Sequence, residues 1–223
     1  MCTVTYWPKS SGFILSVNRD EMASRAPAKF PVYQDSKRGR ICFPQDPEAG
    51  GTWIAYSSEL VVSLLNGSYE DDPSKFTKSR GLVALEPFQH TSLDQFISNC
   101  NFENVNAFVM NIFEKEDGVW QITQLKWDTK DLVITYPNAM EPQIWVSIPK
   151  KFQQVLDWRE EQFEQLTFEE KVDQKMLKDF HMMGGKPGEE AVRLLPNDIV
   201  LTTNFTQLQV NQNVKLIEHQ QFA

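Results

Sequence analysis

Two predicted β-hairpins in the first third of the chain place the strongest constraint on its fold. Residues 2–7 and 13–18 are rich in β-branched and aromatic side chains, and the turn-forming segment 8–12 joins them. Residues 52–57 and 60–65 make a second pair of the same kind. Because a short turn joins antiparallel neighbours, both pairs predict antiparallel pairing.

The remaining predicted elements come in alternating blocks. Prolines interrupt 22–50, which is expected to be irregular. Helices are predicted from residue 80, after a cap at Ser92, and over 150–182, where Thr167–Glu170 has the pattern that opens a second helix. Further strands are predicted at 107–113, 119–127, 132–136, 143–147, 198–203, 205–210 and 213–218. This order predicts one α+β domain over 1–223 with a largely antiparallel pair of sheets.

The composition argues against nucleic-acid binding, a disulfide framework, a zinc site and a membrane span. The net charge of −8 argues against a nucleic-acid partner, since binding phosphates needs a basic face. Three cysteines with no CxxC spacing predict neither a disulfide framework nor a zinc site. With no long apolar run and no signal-peptide pattern, a cytoplasmic protein without a membrane span is expected. The oligomeric state stays open.

The strongest chemical signal is Cys2, which directly follows Met1. Removal of Met1 would leave Cys2 with a thiol and an α-amine, whose unperturbed pKa values are about 8.5 and about 8. Such a pair combines a nucleophile with a base. Antiparallel pairing through the turn at 8–12 brings Cys2 opposite residues 18–20.

The register of this first hairpin decides which polar side chains face Cys2. Along a strand, Asn18 and Asp20 share one face, while Arg19 and Glu21 share the other. A slip of one residue exchanges the two sets, and the sequence leaves both open.

A specific combination of short motifs covers most of the chain. It comprises Met1-Cys2-Thr3, Asn18-Arg19-Asp20-Glu21, Gly50-Gly51-Thr52-Trp53, Leu65-Asn66, Ser79-Arg80-Gly81-Leu82, Asn106-Ala107-Phe108 and Ile144-Trp145-Val146-Ser147. Together these motifs resemble the NRDE family, also known as the transport-and-Golgi-organisation family. That family is similar to the N-terminal-nucleophile hydrolases, which implies a four-layer αββα sandwich with largely antiparallel sheets.

The resemblance implies roles for Cys2, Asp20 and Asn66. The candidate catalytic residues are Cys2, Asn18, Arg19, Asp20 and Asn66. Cys2 matches the nucleophile of choloylglycine-hydrolase-like and penicillin-V-acylase-like amidases, and Asp20 matches the acidic residue that holds the terminal amine. Asn18 is expected to help Asp20 orient that amine, and Asn66 resembles the asparagine of the oxyanion hole. The expected reaction is hydrolysis of a small-molecule amide by a thiolate, which needs no cofactor.

One position departs from those amidases. They carry an arginine three residues before the aspartate, where this chain has Val17. Arg19 lies on the opposite strand face from Asp20, so it is not an obvious substitute. The resemblance therefore leaves the positioning of the substrate unassigned.

Other functions and plainer structural roles compete with catalysis. The NRDE family has been linked to intracellular haem transfer and to lipid homeostasis, which implies a carrier that binds haem through Cys2 or in an aromatic-lined cleft. A degenerate enzyme fold that serves as an interaction module is a third alternative. Cys2 is otherwise a small core residue, and Gly50–Trp53 is expected to be structural. Surface or capping positions are expected for the histidines at 90, 181 and 219.

Overall fold

A computed structural model describes residues 2–67, 76–147, 152–197 and 199–222. The strands are β1 (Thr3–Lys9), β2 (Gly12–Met22), β3 (Lys29–Ser36), β4 (Gly39–Gln45), β5 (Ile54–Tyr56), β6 (Leu60–Asn66), β7 (Phe108–Glu116), β8 (Val119–Trp127), β9 (Leu132–Thr135), β10 (Gln143–Val146), β11 (Gly184–Gly185), β12 (Arg193–Leu194), β13 (Val200–Val210) and β14 (Val214–Gln221). The α-helices are α1 (Arg80–Val83), α2 (Leu93–Asn99), α3 (Gln153–Gln165) and α4 (Gln174–His181).

The chain divides into two compact units. One comprises Met1–Arg25 and Met140–Ala223, and the other comprises Ala26–Ala139. Each unit contains one antiparallel sheet, and helices of the same unit pack on it.

The first unit is built on a five-stranded sheet in the order β10-β1-β2-β13-β14. Its central strand, β2, pairs with β1 on one side and with β13 on the other. Both neighbours run antiparallel to β2, so the hairpin predicted from residues 2–18 is confirmed. A β-bulge interrupts the β2–β13 ladder at Thr203, between Thr202 and Asn204.

Helices α3 and α4 supply the hydrophobic layer of this unit. They carry buried aromatic residues on one face, and the rings of Phe163 and Phe180 lie 5.8 Å apart. The helix α4 begins after Asp173, whose side chain accepts a hydrogen bond from the Met176 amide. The buried cluster consists of Ile14, Phe163, Val172, Leu177, Phe180 and Val192.

The second unit is a seven-stranded meander in which β3 to β9 pair in chain order. One face of the sheet packs against α1, α2 and a 3-10 turn over Glu86–Gln89. Side chains alternate between the two faces along β6 and β7, and Val62, Leu64 and Met110 are buried on the face that the helices cover. A cap at Ser92 begins α2, as predicted, and its side chain accepts from the Gln95 amide.

Three predictions of secondary structure are wrong. The stretch 22–50 is not irregular, because β3 and β4 form a hairpin within it, with Pro31 at a register shift of the edge strand β3. The final strands number two rather than three, because β13 continues through its bulge. Thr167 does not cap a helix, because it lies within a 3-10 turn over Leu166–Phe168, and the second helix begins only after Asp173. The predicted starts at 150 and 198 lie outside the described residues.

Two of the resemblance motifs pack directly on each other. The Thr52 amide donates to the Gly81 carbonyl oxygen at 2.9 Å. A Cβ atom on Gly51 would lie 2.3 Å from the Gly81 carbonyl carbon, far inside van der Waals contact. The structural role predicted for Gly50–Trp53 is therefore supported by a close backbone approach that only glycine permits.

We expect Gly51→Ala to lower the free energy of unfolding by about 3 kcal/mol, because the added methyl group must displace backbone. Urea denaturation followed by circular dichroism measures this change. The matched control is Gly184→Ala, whose Cβ would meet only the end of the Leu195 side chain at 3.0 Å. Equal midpoints for the two variants would contradict the proposed backbone clash.

Candidate active site

The β1–β2 register places Cys2 beside the polar cluster of β2. Thr3, the first residue of β1, pairs with Asn18, so Cys2 directly precedes the ladder and lies next to Arg19 and Asp20. The structure thus selects one of the two registers that the sequence left open. On the other side, the Ser147 amide donates to the Cys2 carbonyl oxygen at 2.9 Å.

The Cys2 sulfur contacts the backbone of Asp20. It accepts from the Asp20 amide nitrogen at 3.3 Å, and its S–H group donates to the Asp20 carbonyl oxygen at 3.6 Å. The residue is partly buried, and this burial raises the pKa of the Cys2 thiol, to which the negative charge of Asp20 adds. The thiol is therefore held in place and protonated near neutral pH.

Asn18 and Asp20 lie on the face of the sheet that carries the helices. Thr202 donates its hydroxyl proton to Asp20 Oδ1 at 2.6 Å. Asn18 Nδ2 donates to the His181 carbonyl oxygen at 2.9 Å, while Asn18 Oδ1 has no hydrogen-bond partner within the described part of the chain. Both side chains are buried, so each is oriented by its surroundings rather than by solvent.

Arg19 is on the other face of the strand. Its guanidinium makes an ion pair with Glu21 at 3.1 Å and donates to the Thr203 hydroxyl at 3.1 Å. The bulge residue Thr203 also donates to the Arg19 carbonyl oxygen at 3.1 Å. Arg19 and Asp20 thus have different polar partners, as their alternation along β2 predicts.

Asn66 belongs to the second unit, where it is the last residue of β6 and pairs with Phe108 of β7. The next residue, Gly67, donates its amide to the Ala107 carbonyl oxygen at 2.8 Å. The structure therefore brings Cys2, Asn18, Arg19 and Asp20 together on one hairpin and places Asn66 on a different sheet. Its assignment to the oxyanion hole stays a prediction.

A buried polar layer beneath the hairpin was not predicted from the sequence. His181 Nε2 shares a hydrogen bond with the Thr5 hydroxyl at 2.8 Å. The Arg159 guanidinium donates to the Thr3 hydroxyl at 2.9 Å and to the Ala191 carbonyl oxygen at 2.7 Å. Both side chains are fully buried, so the predicted surface position of His181 is wrong. The only sequence signal was its position four residues after Leu177, on the apolar face of α4.

The described residues contain neither a cluster suited to a metal ion nor a helix suited to crossing a membrane. Within the four described ranges, no three His, Cys, Asp or Glu residues are grouped in a way that could hold a metal ion. No helix among these residues has the length and apolarity needed to cross a membrane.

The fold is similar to that of known N-terminal-nucleophile hydrolases. Penicillin V acylase from Agrobacterium tumefaciens superposes with a TM-score of 0.53 at 10% identity, covering 93% of this chain and 79% of that one. An Anbu (Gly-1) mutant from Hyphomicrobium sp. strain MC1 superposes with a TM-score of 0.42 at 7% identity, covering 100% of this chain and 88% of that one. The predicted α+β class of N-terminal-nucleophile hydrolase type is confirmed.

The family assignment rests on the sequence match. A model of the family described as Transport and Golgi organisation 2 matches residues 1–215. The chain belongs to this family, which confirms the resemblance drawn from the short motifs. No curated protein matches the chain.

We expect the buried His181 to make the protein less stable as the pH falls. Burial, with a contribution from the Arg159 charge, lowers the pKa of His181 to about 3. The unfolded chain binds this proton near pH 6.5, so the stability is complete above that pH and is lost progressively between about 6.5 and about 3. This single site should cost about 2 kcal/mol between pH 7 and pH 5.

Urea denaturation at several pH values tests this expectation. His181→Gln should remove that part of the pH dependence. Thr5→Val is the matched control, since it deletes the hydroxyl partner but keeps the histidine, and should lower stability while retaining the slope. A wild-type slope in His181→Gln would show that another group is responsible.

Proposed function

We propose that this protein is a cysteine-type N-terminal-nucleophile amidohydrolase that cleaves the C–N bond of a small-molecule amide. The observation that supports it most is the position of the Cys2 sulfur, 3.3 Å from the Asp20 amide and next to a residue whose buried carboxylate is hydrogen-bonded by Thr202. Membership of the family and the fold similarity to a penicillin V acylase are consistent with this chemistry.

The proposed reaction has two steps and begins after Met1 has been removed. The Cys2 thiolate attacks the carbonyl carbon, which forms a C–S bond and moves an electron pair onto the oxygen. Collapse of the tetrahedral intermediate breaks the C–N bond, and the amine leaves with a proton from the Cys2 α-ammonium. Water, deprotonated by the α-amine, then hydrolyses the thioester, which releases the carboxylic acid and restores the thiol.

Two neighbouring side chains suit the role of orienting the α-amine. Thr202 fixes one oxygen of the Asp20 carboxylate, so this carboxylate is preorganised as an acceptor. Asn18 Oδ1 is a buried acceptor without a hydrogen-bond partner among the described residues. An α-ammonium group bound there would satisfy an atom whose burial is otherwise costly. Arg19 is better suited to supporting the strand, because Glu21 and Thr203 already bind its guanidinium.

The raised pKa of the thiol explains why removal of Met1 matters in this proposal. Burial favours the neutral thiol, so Cys2 is a weak nucleophile while its nitrogen forms a peptide bond. An α-ammonium on the same residue would place a positive charge near the sulfur, which favours the thiolate. The same nitrogen would then act as the base.

We expect exposure of the Cys2 α-amine to increase the rate of Cys2 alkylation at pH 7 at least about tenfold, in line with a thiol pKa lowered by about one unit. A protein extended at its N-terminus, with a protease site ending directly before Cys2, provides a matched pair before and after cleavage. Iodoacetamide labelling is followed by mass spectrometry, with the Cys100 thiol as the internal control. Equal Cys2 rates before and after cleavage would contradict the activation step.

We also expect the cleaved protein to release a primary amine from penicillin V or from N-acyl amino acids, and Cys2→Ala to abolish the release. Asp20→Asn should slow the reaction about a hundredfold, because the charge that orients the α-amine is lost. Amine release is measured with fluorescamine, and Cys100→Ala is the control that should keep full activity. Release that persists in Cys2→Ala would exclude Cys2 as the nucleophile.

The carrier function is the competing prediction, and haem titration separates it from catalysis. Haem ligation by Cys2 also requires the thiolate, which the raised pKa disfavours while the Cys2 nitrogen forms a peptide bond. A shifted Soret band in the wild type that Cys2→Ala removes would support the carrier. A wild type without a shift, together with amide hydrolysis, would support the enzyme.

A further inference from the structure

A groove in the second unit has the composition of an ammonium-binding cage. It lies between the segment 100–105 and the β8–β9 turn and has a volume of about 420 Å³. Three aromatic side chains, Phe76, Phe102 and Trp127, are among its lining residues. No residue of the hairpin that carries Cys2 takes part in it.

Two of the aromatic rings are held in place before any ligand binds. Trp127 Nε1 donates to the Val105 carbonyl oxygen at 2.9 Å, which fixes the indole. The Phe102 ring lies 5.7 Å from the Trp127 ring at an angle of 56°, and it also meets Phe108 edge-on at 5.0 Å. The two rings therefore pack against each other beside the groove, where Phe102 is buried and Trp127 is partly exposed.

The charge of the lining favours a cation. Among the described residues that line the groove, Glu103 is the only charged one, and its carboxylate has no ion-pair or hydrogen-bond partner in the described ranges. Lys78 pairs with Glu86 at 2.6 Å and contacts the Asn101 carbonyl oxygen at 3.5 Å. A carboxylate-bearing ligand such as haem would meet the negative charge of Glu103 in this groove.

The backbone around the groove has a positive φ angle at two positions. Asn104 and Thr129 line it with φ angles of 60° and 85°. A positive φ is especially costly for a β-branched residue such as threonine. Strain of this kind concentrates at binding sites, where the surrounding structure maintains it.

We propose that this groove binds an alkylated ammonium group, such as the trimethylammonium group of choline. The faces of Trp127 and Phe102 attract the cation through their quadrupoles, and Glu103 supplies the compensating charge. The volume exceeds that of the ammonium group alone, so a larger molecule carrying this group fits. A soluble cation and a phosphatidylcholine headgroup share this chemistry.

Isothermal titration with choline and with its neutral isostere 3,3-dimethyl-1-butanol tests the proposal. Choline should bind at least about tenfold more tightly than the alcohol, because only choline carries the charge. Glu103→Gln should weaken choline binding about fivefold, whereas Glu116→Gln, an exposed acid on β7, should leave it unchanged. Trp127→Leu should abolish the preference for choline, with circular dichroism showing that the fold is kept.

A second experiment distinguishes a lipid headgroup from a soluble cation as the ligand. Co-sedimentation with phosphatidylcholine vesicles that depends on Glu103 would indicate a lipid headgroup, and choline binding without co-sedimentation would indicate a soluble cation. Equal affinity for the alcohol, no detectable choline binding, or an unchanged affinity in Glu103→Gln would each overturn the proposal.

Discussion

The pairing of Thr3 with Asn18 is the constraint on which the candidate site depends. It fixes where β1 begins, and this places the Cys2 sulfur against the Asp20 backbone. Because side chains alternate along β2, the same register directs the Asp20 carboxylate to Thr202 and the Arg19 guanidinium to Glu21 and Thr203. A slip of one residue would exchange these partners and separate the acid from the helix side of the sheet.

The layer between this sheet and its helices combines two kinds of packing. Phe163, Phe180 and Leu177 provide apolar contact, while Arg159 and His181 bring polar groups into the same layer. Buried polar groups are tolerated where partners are fixed, and here the hydroxyls of Thr3 and Thr5 serve that purpose. The strand β1, which directly follows Cys2, is thereby tied to α3 and α4 at successive inward-facing positions.

The sequence predicted the β1–β2 and β5–β6 hairpins, because turn residues between β-branched runs give a local signal. It failed where prolines or a bulge interrupted the pattern of a strand. Pro31 suggested an irregular segment, but an edge strand with a register shift accommodates it. The bulge at Thr203 broke the alternation of β13 and made one strand look like two.

Some residues of the candidate site could be predicted from the sequence, and others could not. Cys2 and Asp20 could be predicted to meet, since a short turn links their strands. Thr202 and His181 could not, because each lies more than 170 residues from its hairpin partner and has an ordinary local context. The groove is also invisible in the sequence, since Phe102 and Trp127 meet only through the folding of the second unit.

The Ser147 amide donates a hydrogen bond to the Cys2 carbonyl oxygen. It anchors the peptide on the C-terminal side of Cys2, and Asp20 holds the side chain of the same residue. Trimming the chain just ahead of Cys2 would therefore leave these tethers intact. Maturation could then alter the reactivity of one nitrogen while the scaffold around it stays as it was.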